Sequence, residues 1–226
     1  MLFVRSLLGG LVTWAALTAP LPAALLHYSD YDAARSTSIF INIEVSPGNL
    51  QERQESAGVM RIQVDGGPNL DAFCADLFTG IASNTSYTSN VFATGTAPYT
   101  RVAWLIANIL PTITSGSGTA QQQGAALQLA IWDVIHDSGN GLDAGIIQRS
   151  ANTDASVAAY FNTYLAASWT PTLGLNLYQN TFPSTIFRAQ DLVSFSSTVP
   201  EPSTGALMSA IVLAALGFAG RKQVNL

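Results

Sequence analysis

One cysteine, Cys74, and two histidines, His27 and His136, occur in the 226 residues. A thiolate is the strongest nucleophile among ordinary side chains near neutral pH, so Cys74 is the first residue to place. The second is Gln128, in the middle of Ala125-Ala126-Leu127-Gln128-Leu129-Ala130-Ile131-Trp132-Asp133-Val134-Ile135. That segment is apolar nearly all round, which predicts a buried helix. A buried carboxamide without partners costs about 1–3 kcal/mol. Gln128 therefore needs a hydrogen-bond network or a special purpose. One use of these residues is hydrolytic: Cys74 as nucleophile, His136 as base, and Asp133 or Asp137 as orienter. Helical rise counts against it, because eight residues place His136 about 12 Å along the axis from Gln128. The helix dipole also gives a His near a helix C-terminus a purely structural reason to be there. A bland reading stands beside both, since free cysteine often behaves as a small buried hydrophobe.

Gln128-Leu129-Ala130-Ile131-Trp132, with Phe73-Cys74-Ala75-Asp76 upstream, resembles the paired motifs of bacterial thioester domains. In those surface domains a cysteine thiol condenses with a glutamine side chain and releases ammonia. The resemblance implies an internal Cys74–Gln128 thioester that can acylate an amine or hydroxyl on a partner. It also implies an α+β, thioester-domain-like fold: a β-sheet or sandwich portion with a packed helical block inserted between strands. The family commonly carries threonine before the glutamine, where this chain has Leu127. A thioester is far more electrophilic than an amide and must be kept dry until its partner arrives. Phe73 and Trp132 are the expected shields, Trp132 lying one helical turn beyond Gln128 on the same face. Such a site is a single-use crosslinker, not a turnover enzyme, and it calls for no cofactor or metal. The alternatives are a non-reactive structural or adhesive biofilm-matrix protein of the same fold, and third the cysteine hydrolase.

Cys74 and Gln128 are 54 residues apart, so the fold must join them. Alternation predicts strands over 38–45, with Ile39, Ile41, Ile43 and Val45 on one face, and over 58–65, with Met60, Ile62 and Val64 together. A third strand over 70–78 puts Cys74 on a side with Leu70, Ala72, Asp76 and Phe78. Residues 80–99 are polar and read as a loop or polar hairpin. Helices are predicted over 101–110, stopped by Pro111, over 120–137, and over about 154–167 with a cap near Asn152 or Thr153. Residues 173–178 and 190–195 return to strand character. Strands, then helices, then strands favour α+β over alternating βαβ units.

The two ends read as processing segments. Residues 1–24 place Arg5 before about a dozen apolar residues, the pattern of a secretory signal. At the other end, Pro200-Glu201-Pro202 precedes an uncharged apolar stretch and then Arg221 and Lys222. The stretch is slightly short of the roughly 20 residues a comfortable span needs. The basic end would stay in the cytoplasm. These elements resemble the PEP-CTERM sorting signal of Gram-negative bacteria, over residues 199–226. That resemblance implies recognition by exosortase, transient membrane anchoring through the C-terminal span, export to the cell surface or matrix, and a setting with exopolysaccharide or surface and matrix proteins. The expected extracellular domain, residues 25–198, has six arginines against thirteen acidic residues and no lysine. With no basic cluster to neutralise phosphates, nucleic acid is not an expected partner.

Overall fold

The computed structural model describes residues 23–181 and 189–195. The predicted signal, apart from its last two residues, and the whole predicted sorting segment with Pro200, Glu201, Pro202, Arg221 and Lys222 lie outside them. Among the described residues no helix is long and apolar enough to cross a membrane.

The chain runs β1 (Ala24–Ser46), β2 (Asn49–Val64), β3 (Asn69–Cys74), β4 (Thr85–Thr94), α1 (Tyr99–Ile109), a 3-10 turn (Leu110–Thr112), α2 (Ala120–Asp137), β5 (Ile147–Arg149), α3 (Ala155–Ala166), β6 (Leu175–Thr181) and β7 (Leu192–Phe195). This is the expected α+β arrangement, with the helical block inserted between β4 and β6. The strand order β2-β3-β7-β6-β4-β1 is antiparallel throughout, and β1 also pairs with β2. Leu26 has Val64 on one side and Tyr87 on the other. Six strands thus close into a ring, which removes most open sheet edge. Beyond the ring, β1 and β2 continue as a long hairpin from Ser36↔Gly58 to Ser46↔Asn49, and β5 adds to it at Ile41, Asn42 and Ile43.

Alternation explains the hairpin's inner face. Ile39, Ile41 and Ile43 are buried while Phe40 is exposed. Val45, expected on the same face, is exposed because it lies beyond the three residues that β5 covers. The stretch 80–99 is a correction. Its residues 85–94 form β4, a strand central enough to pair with both β1 and β6. Its polar composition hid it, since only Tyr87 and Ser89 are fully buried and Val91 packs partly buried beside them.

Helix α2 has the bounds its periodicity predicts. It contacts β1, β2 and β3 on one side and α1 and α3 on the other, so residues 124–134 are all buried. A helix so enclosed can be apolar all round. It ends where Ser138 adopts the left-handed conformation, with φ of 60°. The cap of α3 falls one residue later than expected. Asp154 accepts from the backbone N–H groups of Ser156 and Val157 at 2.7 and 3.1 Å, while the hydroxyl of Thr153 accepts from Ser150 N–H and donates to the Phe40 carbonyl.

Candidate thioester site

Cys74 ends β3. Through this strand Ala72, Phe73 and Cys74 pair with Ser194, Val193 and Leu192 of β7. On the other side, the ladder to β2 stops at Met60↔Ala72, two residues before Cys74. The Cys74 backbone would be left with an unpaired donor and acceptor in a dry interior, at about 1–3 kcal/mol for each group. Gln128 fills the gap. Its Oε1 accepts from the Cys74 N–H at 2.9 Å and its Nε2 donates to the Cys74 carbonyl at 2.9 Å. The carboxamide takes the place of a strand residue. Both residues are fully buried.

Two packing devices hold α2 close enough. Gly124, one turn before Gln128, lies against the backbone of Arg35, and a Cβ there would sit 1.9 Å from the Arg35 carbonyl oxygen. Gly58, with φ of +134°, meets the same segment, its Cβ position 2.4 Å from that oxygen. The register between β1 and β2 shifts between Tyr31 and Ser36, which brings the Arg35 backbone to both glycines. The Arg35 side chain fixes the shifted segment to β3. It donates to both Asp71 oxygens at 2.9 and 2.8 Å and to Asp32 at 3.0 Å, and Arg61 joins Asp32 at 2.8 Å. Burial alone would lift the Asp32 carboxyl, but hydrogen bonds from Arg61 and Arg35 outweigh it and hold it below the usual range.

The electrostatics keep the thiol protonated at rest. Burial pushes the Cys74 thiol well up, the Tyr31 hydroxyl opposes that shift by hydrogen bonding, and Asp76 and Glu55 add to the rise. The Tyr31 hydroxyl also donates to the Ser56 carbonyl at 3.1 Å. On this side a cavity of about 380 Å³ opens, walled by Tyr31, Glu55, Ser56, Phe78, Trp132 and Gln190. Trp132 is only 2% exposed, and its indole N–H has no hydrogen-bond partner among the described residues. Glu55 is partly buried, and its carboxyl is raised by burial against the opposing charge of Arg53.

The two expected shields occupy different places. Trp132 stands in the cavity wall. Phe73, next to Cys74 on an alternating strand, projects from the opposite face of β3 and is wholly buried in the core.

The hydrolytic arrangement is not assembled. His136 Nε2 donates to the Ala75 carbonyl at 3.0 Å, and its ring meets Phe78 edge-on with centroids 6.0 Å apart. Asp137 accepts from the N–H groups of Ile146 and Ile147, both at 2.8 Å, and Asp133 from Gly141 at 3.4 Å. Neither carboxylate orients His136. The residues that sequence reasoning missed here are Tyr31, Glu55 and Gly124. Tyr31 precedes the first strand that alternation revealed, and nothing in its spacing marks it.

With the Gln128 carboxamide docked on the backbone of the residue that carries the thiol, the arrangement can support acyl chemistry. The Cys74 N–H already points at Gln128 Oε1, where negative charge would develop if sulfur attacked the carboxamide carbon.

No curated protein matches the chain. Among solved structures, the N-terminal domain of the Streptococcus pyogenes pilus tip adhesin Cpa is similar at 14% sequence identity, with a TM-score of 0.44 over 76% of this chain and 92% of that one. The family model described as Thioester domain matches residues 71–168. That stretch begins within β3 and ends after α3, so a thioester-domain-like region supplies both Cys74 and Gln128.

Proposed function

We propose that this is an exported surface or matrix protein whose domain forms an internal thioester between Cys74 and Gln128 and uses it to attach covalently to a partner amine or hydroxyl. The observation that carries the reading is the two-point docking of the Gln128 carboxamide on the Cys74 backbone. The protein does not turn over. In the forming step, sulfur bonds to the Gln128 carboxamide carbon, the C–N bond breaks, and the thiol proton leaves on the departing nitrogen as ammonia. The Cys74 N–H stabilises the developing oxyanion, and the dry surroundings slow hydrolysis of the product. Phe73 from the core side and Trp132 from the cavity side exclude water. Export follows from the signal-like residues 1–24, and surface sorting by exosortase from Pro200-Glu201-Pro202 with Arg221 and Lys222. The exopolysaccharide matrix and surface proteins are the partners this route implies.

A second reading, a non-reactive structural or adhesive protein of the same fold, is favoured by one observation. Leu127 is wholly buried where the resembling family commonly has a hydroxyl residue. Intact mass of the purified protein separates the two. The thioester predicts a deficit of one ammonia that Cys74→Ala and Gln128→Ala each abolish. An unmodified mass, with residue 128 still glutamine on peptide mapping and Cys74 reactive on unfolding, would establish the non-reactive protein instead.

A further inference from the structure

We infer that the partner is a protein, and that a short extended segment of it docks as an added strand on the open edge of β2. This names the partner class for the thioester reading and rests on that reading. The edge arises from a splayed ladder. β2 pairs with β3 only from Gln63↔Asn69 to Met60↔Ala72. Carried on in the same register, Gly58 would face Cys74, Ser56 would face Asp76 and Gln54 would face Phe78. Those pairs do not form. Gln128 takes the backbone bonds of Cys74, and the Asp76 carbonyl accepts from the Gln190 side chain at 2.9 Å. Beyond them the two segments part around the cavity of about 380 Å³, with residues 53–56 on one side and 77–81 on the other. The cavity and the docked carboxamide thus lie along one gap, between β2 and the chain that leaves β3.

The hairpin decides which backbone groups face that gap. The Phe40 carbonyl accepts from Thr153 and the Glu44 N–H donates to the Ile146 carbonyl, so both residues turn their backbone groups away from β2. In an antiparallel pair the two residues exchange ladder bonds or neither does. Gln54, the partner of Phe40, therefore points its N–H and C=O outward. Ser56, two residues on, does the same, and its carbonyl accepts from the Tyr31 hydroxyl at 3.1 Å. A carbonyl has two lone pairs, so Ser56 also has room for a donor from an added strand. Donors and acceptors in a row at strand spacing match a polypeptide backbone, whereas sugar hydroxyls carry no such fixed row. Arg53 and Glu55 pair with Ile41 and Ile39 on the hairpin's inner face, and both line the cavity. Inward-pointing charges on an edge turn away strands of the wrong charge pattern. They admit a segment that sets an acidic residue against Arg53 and a basic one against Glu55. Run antiparallel to β2, as β3 is, that segment reads basic-x-acidic from its N-terminus. The cavity is at the small end of ligand clefts, so it takes a few residues and not the edge of a second folded domain.

The test uses the Cys74→Ala protein, which has no thiol to attach with, so docking is read without covalent capture. Random heptapeptides displayed on phage are the probe, and enriched sequences are remade as free peptides for fluorescence-anisotropy titration. The expected result is enrichment of the basic-x-acidic pattern, with binding weakened about tenfold when a ladder-facing peptide N–H is methylated. Gln54→Pro removes an outward N–H and no bond to β1, and weakens binding by a similar factor. The paired exchange of Arg53→Glu with Glu55→Arg keeps the net charge and turns the enriched pattern into acidic-x-basic. Circular dichroism checks that each variant folds. Panning that enriches no peptide, or peptides indifferent to backbone methylation and to the charge exchange, overturns the assignment. The wild-type mass reports separately on the thioester: without an ammonia deficit the thioester reading fails, while the peptide titrations still decide whether the β2 edge takes a strand.

Discussion

Gly124→Ala puts two effects of opposite sign in competition. By intrinsic propensity, alanine in a helix interior is worth about 1 kcal/mol over glycine. Against that, the new methyl carbon would lie 1.9 Å from the Arg35 carbonyl oxygen and 2.9 Å from its carbonyl carbon. Reaching ordinary contact requires α2 and the Arg35 segment to part by more than about 1 Å. Neither can give easily. Arg35 is tied to Asp71 and Asp32, and α2 is enclosed by strands on one side and helices on the other. Overpacking of this kind costs about 1–3 kcal/mol. A 1 Å shift also takes the 2.9 Å bonds from Gln128 to Cys74 beyond useful length, leaving buried groups unsatisfied at about 1–3 kcal/mol each. The net expectation is a loss of about 3 kcal/mol, or about 6–12 °C in Tm for a domain of this size. Thermal unfolding followed by far-ultraviolet circular dichroism measures it, and intact mass should show a reduced ammonia deficit in the fraction that folds. A variant as stable as wild type or more so, with an undiminished deficit, would show that the Gly124–Arg35 approach does not position Gln128.

Two further substitutions test the same framework. Burial, reinforced by Asp137 and opposed by the Gly141 N–H and Arg101, pushes the Asp133 carboxyl up to about 6. Its folded value is above its unfolded one, so the wild type loses stability as pH rises from about 4 through 6; Asp133→Asn should therefore gain up to about 3 kcal/mol at pH 8 and nothing near pH 3. Paired denaturant titrations at the two pH values check the sign, and an equal effect at both would exclude titration of Asp133 as the cause. Asp154→Ala removes the two-point cap of α3 and should cost about 1 kcal/mol, read from the urea midpoint. No change in the midpoint would mean that α3 is held by packing alone.

The sequence made some parts of this molecule plain and hid others for physical reasons. Helix α2 was legible because an apolar helix closed by Ser138-Gly139 leaves little choice of period or end. Cys74 and Gln128 stood out as the lone thiol and a carboxamide in apolar company, and the fold joins them across 54 residues. Strand β4 was not legible: its fully buried residues are Tyr87 and Ser89 alone, Val91, Phe92 and Ala93 follow one another without alternation, and the rest is Ser, Thr and Asn that alternation cannot distinguish from a loop. The α3 cap was misplaced by a residue because Asn152, Thr153 and Asp154 are all good caps, and only the bonding of Thr153 to Ser150 and Phe40 decides among them. Gly124 was invisible, because its role depends on the register shift of β1 against β2, which no local pattern encodes. Closure of the ring likewise depends on β1 pairing on both edges.

The docking of Gln128 also determines where mechanical load would travel. After the proposed transfer the partner hangs from the side chain of Gln128, and Cys74 is released as a thiol. A pull between the partner and the chain beyond β7 then runs through the backbone from residue 128 onward, through the rest of α2, α3 and β6, into β7. The sulfur, β1, β2 and β3 lie outside that covalent line. They bear force only through noncovalent contacts: the ladders that flank β7, a strand of 4 residues held between β3 and β6, the pairing of β5 with β1, the link from β6 through β4 to β1, and the packing of α2. Resistance to tension is therefore set by the shear strength of that short strand and the seating of α2, and the bond-forming half of the site is spared the load it creates.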